Sequence, residues 1–439
     1  MSKVLADLRR YPSAIGGLLI IAVLVLTSIY AVIAIPYGQA IRLWQGGSAL
    51  WLDTPRNARP RWFRLFQPDL PQTIIVRSRD VTRRVEAVGG GIRQITMRLP
   101  FDYPYQSVPG ELAVFFETAT VERPPQVTLS WQPPDGSEIQ LGTFTVRPEE
   151  TYRISDDADL RQNLGGAPEA VLFTDPEHPQ RVLTGRHALT VKALLFEEAS
   201  TFDVRLVVYG KVYGLAGTDH LRRDLMIPLL WGTPIAVAFG LLAAVGSTVS
   251  TLVIAALGAW YGGWVDGAIQ RITEVNLVLP SLPILIMIGT LYSRSIWVIL
   301  GVIVLLGIFG GGIKSYRALF LQVREAPYIE AARAYGVSNL RAVFTYMLPR
   351  AVPVLVPQFV TFIPSFVFLE ATLAVLGLGD PVLPTWGKVI EDASSQGALF
   401  SGYYYWVLEP AVLLMLSGLG FTMLGFALDR LFNPRLREI

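Results

Sequence analysis

Six apolar segments recur along the chain, and each approaches or exceeds the roughly 20 residues that an α-helix needs to cross a bilayer. One segment lies near the N-terminus and five follow residue 226. Their predicted bounds are 13–35, 227–260, 268–291, 296–313, 351–376 and 406–428. Residues 36–214, between the first two segments, contain no stretch that could span a membrane. The pattern predicts an α-helical polytopic membrane protein with six transmembrane helices and a large insert between helices 1 and 2.

The insert shows a β pattern instead. Several of its runs alternate apolar with polar side chains, and proline, glycine and aspartate separate them. Seven strands are predicted, at 73–77, 92–99, 112–119, 127–131, 139–146, 189–196 and 203–210. A short helix is expected within 155–164, after an acidic cap. This number of strands suits a β-sandwich or a related antiparallel domain, and the scattered acids and isolated histidines within it form no catalytic pattern.

A run of arginines and aromatic residues lies near the start of the insert. It consists of Arg56, Arg59, Arg61, Arg64, Trp62, Phe63 and Phe66. Such a run can rest against lipid headgroups with its rings at the membrane interface. A solvated loop with a few packed aromatic side chains fits the sequence equally well, so both interpretations stay open.

Composition narrows the possible functions. Hydrophobic residues make up 52% of the 439 residues and charged residues only 16%, against about 25% charged in an average soluble domain. The net charge of +2 gives no case for nucleic-acid binding, and the absence of cysteine excludes disulfides and thiolate metal sites. None of the three histidines lies in an HExxH motif, and no GxxxxGK[ST] phosphate loop occurs. We expect no catalytic residue, no metal and no cofactor in this chain.

The basic residues predict the orientation, because lysine and arginine accumulate in cytoplasmic loops. Loop 314–350 carries six basic and two acidic residues, whereas the loop between the last two segments carries one lysine and three acids. Basic residues also precede the first segment and follow the last one, at Lys3, Arg9, Arg10, Arg430, Arg435 and Arg437. We expect both termini and loop 314–350 inside the cell and the insert outside.

The first apolar segment, 13–35, has two possible interpretations. The apolar region of a cleaved signal peptide usually has about 7–15 residues, followed by a small-residue cleavage site. This segment is longer, and no convincing cleavage site follows it. We therefore expect an uncleaved membrane anchor with its N-terminus inside.

Residues 327–349 form a polar stretch between two apolar segments. Pro327 suits the first position of a helix, and Gly336 suits the left-handed residue that follows a helix end. Ser338 can cap a second helix, predicted from Asn339 to Met347, which Pro349 is expected to end. The stretch predicts two helices joined by a glycine turn at a membrane surface.

This stretch resembles the EAA loop of binding-protein-dependent ABC importer permeases. The resemblance rests on Glu330, Ala331, Ala332, Gly336, Leu348 and Pro349. It implies that the loop is cytoplasmic and docks into a cleft of an ATPase subunit.

A second motif, GTDHLRRD at 217–224, resembles the GTDxxGRD signature of the C-subunit type of dipeptide and oligopeptide permeases. The matching residues are Gly217, Thr218, Asp219, Arg223 and Asp224. Arg222 stands where the family has glycine, so a turn that needs a positive φ there is either reshaped or strained by roughly 1 kcal/mol. Further similar motifs follow in the family's order at 261–266, 279–283, 376–380, 384–387 and 433–438.

The resemblance implies a permease subunit of a type I ABC importer for peptides or a related small solute. Implied partners are a second permease subunit, two cytoplasmic ATPase subunits, an extracytoplasmic solute-binding protein and membrane lipid. The implied location is a bacterial or archaeal cell (inner) membrane. The expected layout is a cytoplasmic N-terminus (1–12), transmembrane helix 1 (13–35), an extracytoplasmic insert (36–214) and a permease core (215–439) that contains the EAA loop (314–350).

Glu370 is an acidic residue within the fifth apolar segment, where a comparable ionised aspartate at the bilayer centre costs about 2.5–3.5 kcal/mol on insertion scales. Because family members tend to carry an acid here, the resemblance favours a position near the translocation path or a subunit interface. A carboxylate that reaches out toward the outer surface is the alternative.

Two other function classes remain to be weighed. A membrane-anchored ligand-binding sensor or adhesion protein could use the β-rich domain, but a single helix would suffice to anchor it. A membrane-embedded enzyme would need paired acids or histidines inside the membrane, and the apolar segments contain none.

Overall fold

The computed structural model describes residues 11–120 and 123–432. The chain divides into two compact units, a helical unit made of residues up to Gln45 and from Ile227 onward, and a β unit made of Gly46–Met226. The predicted basic N-terminus at Lys3, Arg9 and Arg10 and the motif at 433–438 lie outside the described residues.

The chain contains long apolar helices and shorter helices that connect them. In chain order they are α1 (Pro12–Ala34), α2 (Tyr37–Gln45), α3 (Gly47–Leu50), α4 (Ala158–Leu164), α5 (Pro168–Val171), α6 (Met226–Tyr261), α7 (Gly263–Val278), α8 (Ser281–Leu291), α9 (Ile296–Ile308), α10 (Gly312–Arg324), α11 (Pro327–Ala334), α12 (Asn339–Arg341), α13 (Leu348–Leu373), α14 (Trp386–Ser395) and α15 (Tyr404–Phe432). Wide π-helical turns occupy Ala342–Met347 and Ala374–Leu378, on either side of α13.

Four helical stretches of the described chain are long and apolar enough to cross a membrane alone. They are Pro12–Ala34, Met226–Tyr261, Asn339–Leu378 and Tyr404–Phe432. Two bent pairs pass the same test when each is taken together, α7 with α8 at 79° and α9 with α10 at 46°. The described residues therefore hold four candidate spans, or up to six if each bent pair is one span.

The bend between α7 and α8 has a local cause. Leu279 precedes Pro280, and its ψ of 129° is extended, because a residue before proline avoids the helical region. The predicted continuous segment 268–291 is therefore broken at this point.

Small residues let the membrane helices approach closely. A Cβ placed on Gly17 of α1 would lie 2.7 Å from the carbonyl oxygen of Gly420 in α15. A Cβ on Gly240 of α6 would lie 2.9 Å from the carbonyl oxygen of Ile363 in α13. Close backbone contact of this kind is the usual basis of helix packing in membranes.

The β unit contains two antiparallel sheets. Its strands are β1 (Ile74–Arg77), β2 (Arg83–Gly89), β3 (Ile92–Tyr103), β4 (Glu111–Ala119), β5 (Gln126–Gln132), β6 (Ile139–Thr145), β7 (Thr151–Arg153), β8 (Gly185–Leu195) and β9 (Thr201–Tyr209). One sheet has the order β1-β9-β4-β7 and the other β2-β3-β8-β5-β6. Side chains from both sheets, including Phe116, Leu206, Met97 and Trp131, share one buried core.

All seven predicted strands are present, and the short helix α4 lies where the sequence predicted it. Asp157 caps α4 by accepting a hydrogen bond from the Leu160 N–H at 2.9 Å. Sequence analysis missed β2 and β7. Every residue of β2 is exposed, so it carries no alternation of buried and exposed positions, and β7 has only three residues.

Candidate functional site

The predicted glycine turn joins α11 to the helix that follows it. Gly336 has φ of +75°, and its N–H donates to the Arg333 carbonyl at 2.9 Å. The Val337 N–H donates to the Ala332 carbonyl at 3.1 Å. These two bonds form the Schellman arrangement that ends a helix with a left-handed glycine. The predicted role of Gly336 as a sharp turn matches this geometry. We call residues 327–347 the coupling pair.

The second half of the coupling pair differs from the prediction. The backbone carbonyl of Ser338 accepts from the Ala342 N–H at 2.9 Å, but the Ser338 hydroxyl makes no capping bond. The helix also does not end at Pro349, since Asn339–Leu378 forms one continuous candidate span. Both expectations were wrong. The wide π-helical turn just before Pro349 gives the proline ring room that an ordinary helical turn would deny it.

One face of the coupling pair is buried in the helical unit. Ile329, Ala342, Val343 and Met347 share a core with the end of α6 and with α10. The partner side chains there are Leu252, Ala255, Ala256, Ala259, Trp260, Ile313, Tyr316 and Phe320. The Arg333 guanidinium also lies 4.2 Å from the centre of the Trp260 ring, a cation–π contact. A force on the coupling pair therefore acts directly on α6 and α10.

The opposite face is open. Glu330, Ala331 and Gly336 are exposed there. Of the two predicted docking residues just beyond the coupling pair, Pro349 is exposed and Leu348 is half-buried against the inward core. Ala332 is buried, so its side chain packs inward and offers no contact to a partner. Three large exposed side chains, Tyr335, Leu340 and Phe344, were missed by the sequence analysis. No pattern in the sequence singles them out, because the sequence does not show which face of the coupling pair packs inward.

The helix break before α10 is held by side chains from two other helices. The Asn276 amide donates to the Leu306 carbonyl at 2.9 Å and to the Phe309 carbonyl at 3.1 Å. The Thr251 hydroxyl shares its hydrogen between the Ser247 carbonyl of its own helix, at 2.7 Å, and the Ile308 carbonyl, at 2.9 Å. Backbone carbonyls at a helix end need such partners where no water is available. The bend is therefore a hydrogen-bonded element of the bundle.

A bidentate ion pair also ties α10 to α7. Arg317 reaches Asp266 with Nε at 2.7 Å and Nη2 at 2.5 Å from the two carboxylate oxygens. Arg324, at the end of α10, donates to the Ala259 carbonyl of α6 at 2.8 Å. The segment that leads into the coupling pair is thus fixed to both preceding helices.

Glu370 lies inside the helical unit. Its side chain is buried, and Thr385 is a hydrogen-bonding neighbour. A carboxylate that reached out to water would be exposed, so the second interpretation does not describe this side chain.

The signature residues 217–224 form a small turn within the β unit. Asp219 is fully buried and accepts from the N–H groups of Leu221 at 2.9 Å and Arg223 at 2.8 Å. Its other oxygen accepts from Arg223 Nε at 2.5 Å. Thr218 donates to the Pro55 carbonyl at 2.7 Å, and the Leu225 N–H donates to the Gly217 carbonyl at 3.1 Å. These contacts fold the turn onto the start of the β unit.

Asp224 ends the turn just before α6. Its carboxylate accepts from the Met226 N–H at 2.9 Å. Burial raises the pKa of Asp224, and the Met226 hydrogen bond opposes that shift.

Arg222 keeps the left-handed backbone that a glycine would adopt, with φ of +69°. Its buried guanidinium forms an ion pair with Glu111, donates to the Thr54 carbonyl at 2.9 Å and lies 4.4 Å from the centre of the Tyr209 ring. Of the two predicted outcomes, the strained turn is the one the structure contains.

Comparison with known proteins identifies the family. The family model of the binding-protein-dependent transport system inner membrane component matches residues 236–438. A putative peptide transport system permease protein of Brucella suis is 31% identical over 228 residues, which cover 51% of this chain and 74% of that relative. The dipeptide transport system permease protein of Alkalihalophilus pseudofirmus is 29% identical over 225 residues, 51% of this chain and 72% of the relative.

A third relative is the peptidoglycan transport system permease protein of Agrobacterium fabrum, 33% identical over 221 residues, 50% of this chain and 56% of the relative. These relatives are permease proteins, so the prediction that the chain is a translocation component and not an enzyme is confirmed. The matched region contains the coupling pair and Glu370, whereas the β unit precedes it. The chain therefore belongs to the family of inner membrane components of binding-protein-dependent transport systems.

Proposed function

We propose that this chain is a transmembrane subunit of an ATP-driven importer for peptides or a related small solute. The names of the Brucella and Alkalihalophilus relatives support this class of solute. A second permease subunit, two cytoplasmic ATPase subunits and an extracytoplasmic solute-binding protein complete the proposed assembly. The chain performs no covalent chemistry and needs no cofactor for this role.

The two-sided coupling pair is the observation that carries the proposal. Its outward face, with Glu330, Tyr335, Leu340 and Phe344, offers a charge and apolar side chains to a docking protein. Its inward face packs on α6 and α10. In the proposed mechanism, closure of the ATPase dimer moves the coupling pair as a lever, and the attached helices open the pathway toward the solute-binding protein.

The proposed topology has six crossings. The third runs through the bent pair α7 and α8, and the fourth runs along α9, with α10 on the cytoplasmic side of the bend. Residues 1–12 and the EAA loop 314–350 are cytoplasmic, helix 1 spans 13–35, and the β-rich insert 36–214 stands outside, before the core 215–439. Reporter fusions at Gln180 and Ser338 test this arrangement, with an extracytoplasmic signal expected at the first and a cytoplasmic signal at the second.

We assign Glu370 to the neighbourhood of the translocation path or of the second permease subunit. The support is that α13, which carries it, continues directly from the coupling pair through one uninterrupted helix. A movement of the coupling pair would therefore be transmitted to Glu370 through one continuous helix.

The lever is tested with Gly336→Val. Within the part of the chain that the structure describes, a Cβ at Gly336 meets no atom within 4 Å. The substitution therefore acts through the backbone, where φ of +75° costs a non-glycine residue about 1–2 kcal/mol and a β-branched residue more. We expect normal membrane insertion and loss of most ATP-driven peptide uptake in reconstituted vesicles.

Gly301→Val is the matched control, because a Cβ there also meets no atom within 4 Å and its φ is not positive. It should leave uptake near the wild-type rate. If Gly336→Val retains both normal association with the ATPase subunits and normal uptake, the lever mechanism is wrong.

A further inference from the structure

An exposed apolar surface stands out on the β unit. It consists of Trp62, Leu65, Phe66 and Leu215, which we call the interfacial patch. Leu65 is 82% exposed and Phe66 is 76% exposed, whereas the strands nearby bury most of their large apolar residues in the common core. Contiguous exposed apolar side chains on a folded domain usually mark a contact surface.

The patch is presented on an ordered backbone. A 3-10 turn, Arg61–Leu65, carries Trp62 and Leu65, and residues three apart lie on one side of such a turn. The indole N–H of Trp62 donates to the Leu215 carbonyl at 3.1 Å, and the Arg61 N–H donates to the Gly214 carbonyl at 2.9 Å. These bonds join the two chain segments that form the patch, so its shape is built into the domain.

Arginines border the patch, and the run from Arg56 to Phe66 contains no acidic residue. Arg61 is exposed. Arg59 lies with its guanidinium 5.8 Å from the centre of the Phe63 ring, and Arg64 lies 5.7 Å from that of Tyr105. An exposed apolar surface that contains Trp and Phe, with several arginines next to these residues in the sequence, has the chemistry of a segment that lies in a membrane interface.

The position along the chain favours the same partner. Only residues 46–61 separate Trp62 from α2, and only residues 216–225 separate Leu215 from α6. Ten residues reach at most about 35 Å when fully extended. Both segments of the patch are therefore tethered near helices of the membrane-spanning unit, whichever side of the membrane the β unit occupies.

We propose that the interfacial patch enters the membrane–water interface beside the transporter. Its apolar side chains would lie among the upper acyl chains, while Arg61 and neighbouring arginines would bind the phosphates of anionic phospholipids such as phosphatidylglycerol. This anchoring would fix the β unit on the bilayer surface. The inference needs only a membrane-spanning helical unit and is independent of the transported solute.

The experiment uses the full chain in lipid nanodiscs. Because the chain has no cysteine, Leu65→Cys and Phe66→Cys each give a single site for the fluorophore NBD. Both side chains point out of the fold, so their replacement leaves the core of the β unit intact. Val85→Cys and Val88→Cys, on the exposed strand β2, are the matched controls. Lipids that carry a nitroxide near the headgroup serve as quenchers.

We expect blue-shifted NBD emission and at least twofold stronger nitroxide quenching at positions 65 and 66 than at positions 85 and 88. Arg61→Gln should reduce quenching at position 65 in nanodiscs that contain phosphatidylglycerol, and have little effect in pure phosphatidylcholine. Equal, water-like emission at all four positions would overturn the proposal. So would water-like emission at 65 and 66 that changes only when the purified solute-binding protein is added, because the patch would then be a protein-docking surface.

Discussion

At Arg222 the chain combines a strained backbone with a buried side chain that has several partners. A left-handed φ costs a non-glycine residue roughly 1–2 kcal/mol. The ion pair with Glu111, the hydrogen bond to Thr54 and the contact with Tyr209 all come from the β unit. The insert therefore supplies the interactions that stabilise an arginine at a position where the family signature has glycine.

Arg222→Ala and Arg222→Gly separate the two contributions. Both variants lose the same side-chain contacts, but only alanine keeps the cost of the left-handed backbone. We expect both to be less stable than the wild type, with the alanine variant less stable than the glycine variant by about 1 kcal/mol. The measurement is the urea concentration at which the β unit becomes cleavable in a short thermolysin pulse. Equal stability of the two variants would show that the backbone is not strained.

His187 is a buried histidine in the aromatic core of the β unit. Its ring stacks at 4.6 Å from Phe173, and Nε2 lies 2.9 Å from the Leu183 carbonyl. Within the described residues, Nδ1 has no hydrogen-bond partner. Burial lowers the pKa of His187, and this effect is larger than the opposing effects of the hydrogen bond to the Leu183 carbonyl and of the Asp135 charge.

A lowered pKa makes the β unit sensitive to acid. The unfolded chain binds a proton at a pKa of about 6.5 while the folded chain resists it, so stability is present above that pH and is lost as pH falls below it. We expect the urea midpoint to drop between pH 7 and pH 5.5. The reason is that this residue lowers the free energy of unfolding by up to about 1.4 kcal/mol for each pH unit. His187→Leu should remove that part of the slope. His178→Leu is the control, because His178 is exposed, and an equal slope in the His187 variant and the wild type would contradict the assignment.

Single residues were predictable where the backbone limits the choice of residue. The left-handed position of Gly336 followed from sequence, because few residues other than glycine suit that conformation. At Arg222 the sequence left both a reshaped and a strained turn open. The inward position of Ala332 did not follow, since the sequence does not tell which face of the coupling pair packs on α6. For the same reason, the sequence did not predict that the side chains of Tyr335, Leu340 and Phe344 are exposed.

At the scale of elements, the break between α9 and α10 comes just before the helix that leads into the coupling pair. Glycines 310–312 explain why the helix can bend, and the Asn276 and Thr251 side chains explain why the bend is stable. An unsatisfied buried carbonyl costs about 1–3 kcal/mol. The break thus depends on two specific side chains from α7 and α6.

Asn276→Leu and Thr251→Val should each destabilise this bend. We expect the thermal midpoint of the detergent-purified chain to fall by several degrees and ATP-driven uptake to fall several-fold, because α10 would no longer be held at one angle. Thr290→Val is the matched control, since among the described residues the Thr290 hydroxyl bonds only to carbonyls of its own helix, at 2.8 Å to Ile286 and 3.2 Å to Met287. A normal midpoint and normal uptake in both test variants would show that the bend does not need these bonds.

Elements with a regular pattern were predictable, and irregular ones were not. The alternation of side chains located seven strands, while β2, exposed on both faces, gave no such signal. Apolar length located the membrane segments, but the 79° bend at Pro280 and the continuous helix through Pro349 depend on local backbone geometry. A hydropathy value averaged over a whole segment does not resolve such local changes in the backbone.

At the scale of the whole molecule, the GTDHLRRD turn is built into the β unit, while the family match begins later, at residue 236. Sequence analysis placed this signature at the start of the permease core, because resemblance follows chain order and not packing. Its contacts with Pro55, Thr54 and Glu111 are those of the β unit. The insert and the signature therefore fold together as one unit.

Because the signature turn packs within the β unit, an excision that tests the role of the insert also affects Arg222. We propose that the insert guides or receives the solute-binding protein, with a simple spacer as the alternative. Excision of residues 69–208 with a short flexible linker removes Glu111, so the excised chain should also carry Arg222→Gly, which restores the residue that the family signature has at this turn. The excision keeps Arg61–Phe66 and Leu215, and so leaves the interfacial patch sequence in place.

We expect the excised chain to associate normally with the ATPase subunits and to bind the solute-binding protein at least tenfold more weakly in the assembled transporter. The reason is that the lost strands supply most of the folded surface outside the helical unit. A chain with the same linker inserted between Gly90 and Gly91, where no atom lies within 4 Å of a Cβ at either glycine, controls for the linker itself and should bind normally. Affinity and uptake that survive the excision unchanged would leave the insert as a spacer, and would make the coupling pair and the membrane helices sufficient for transport.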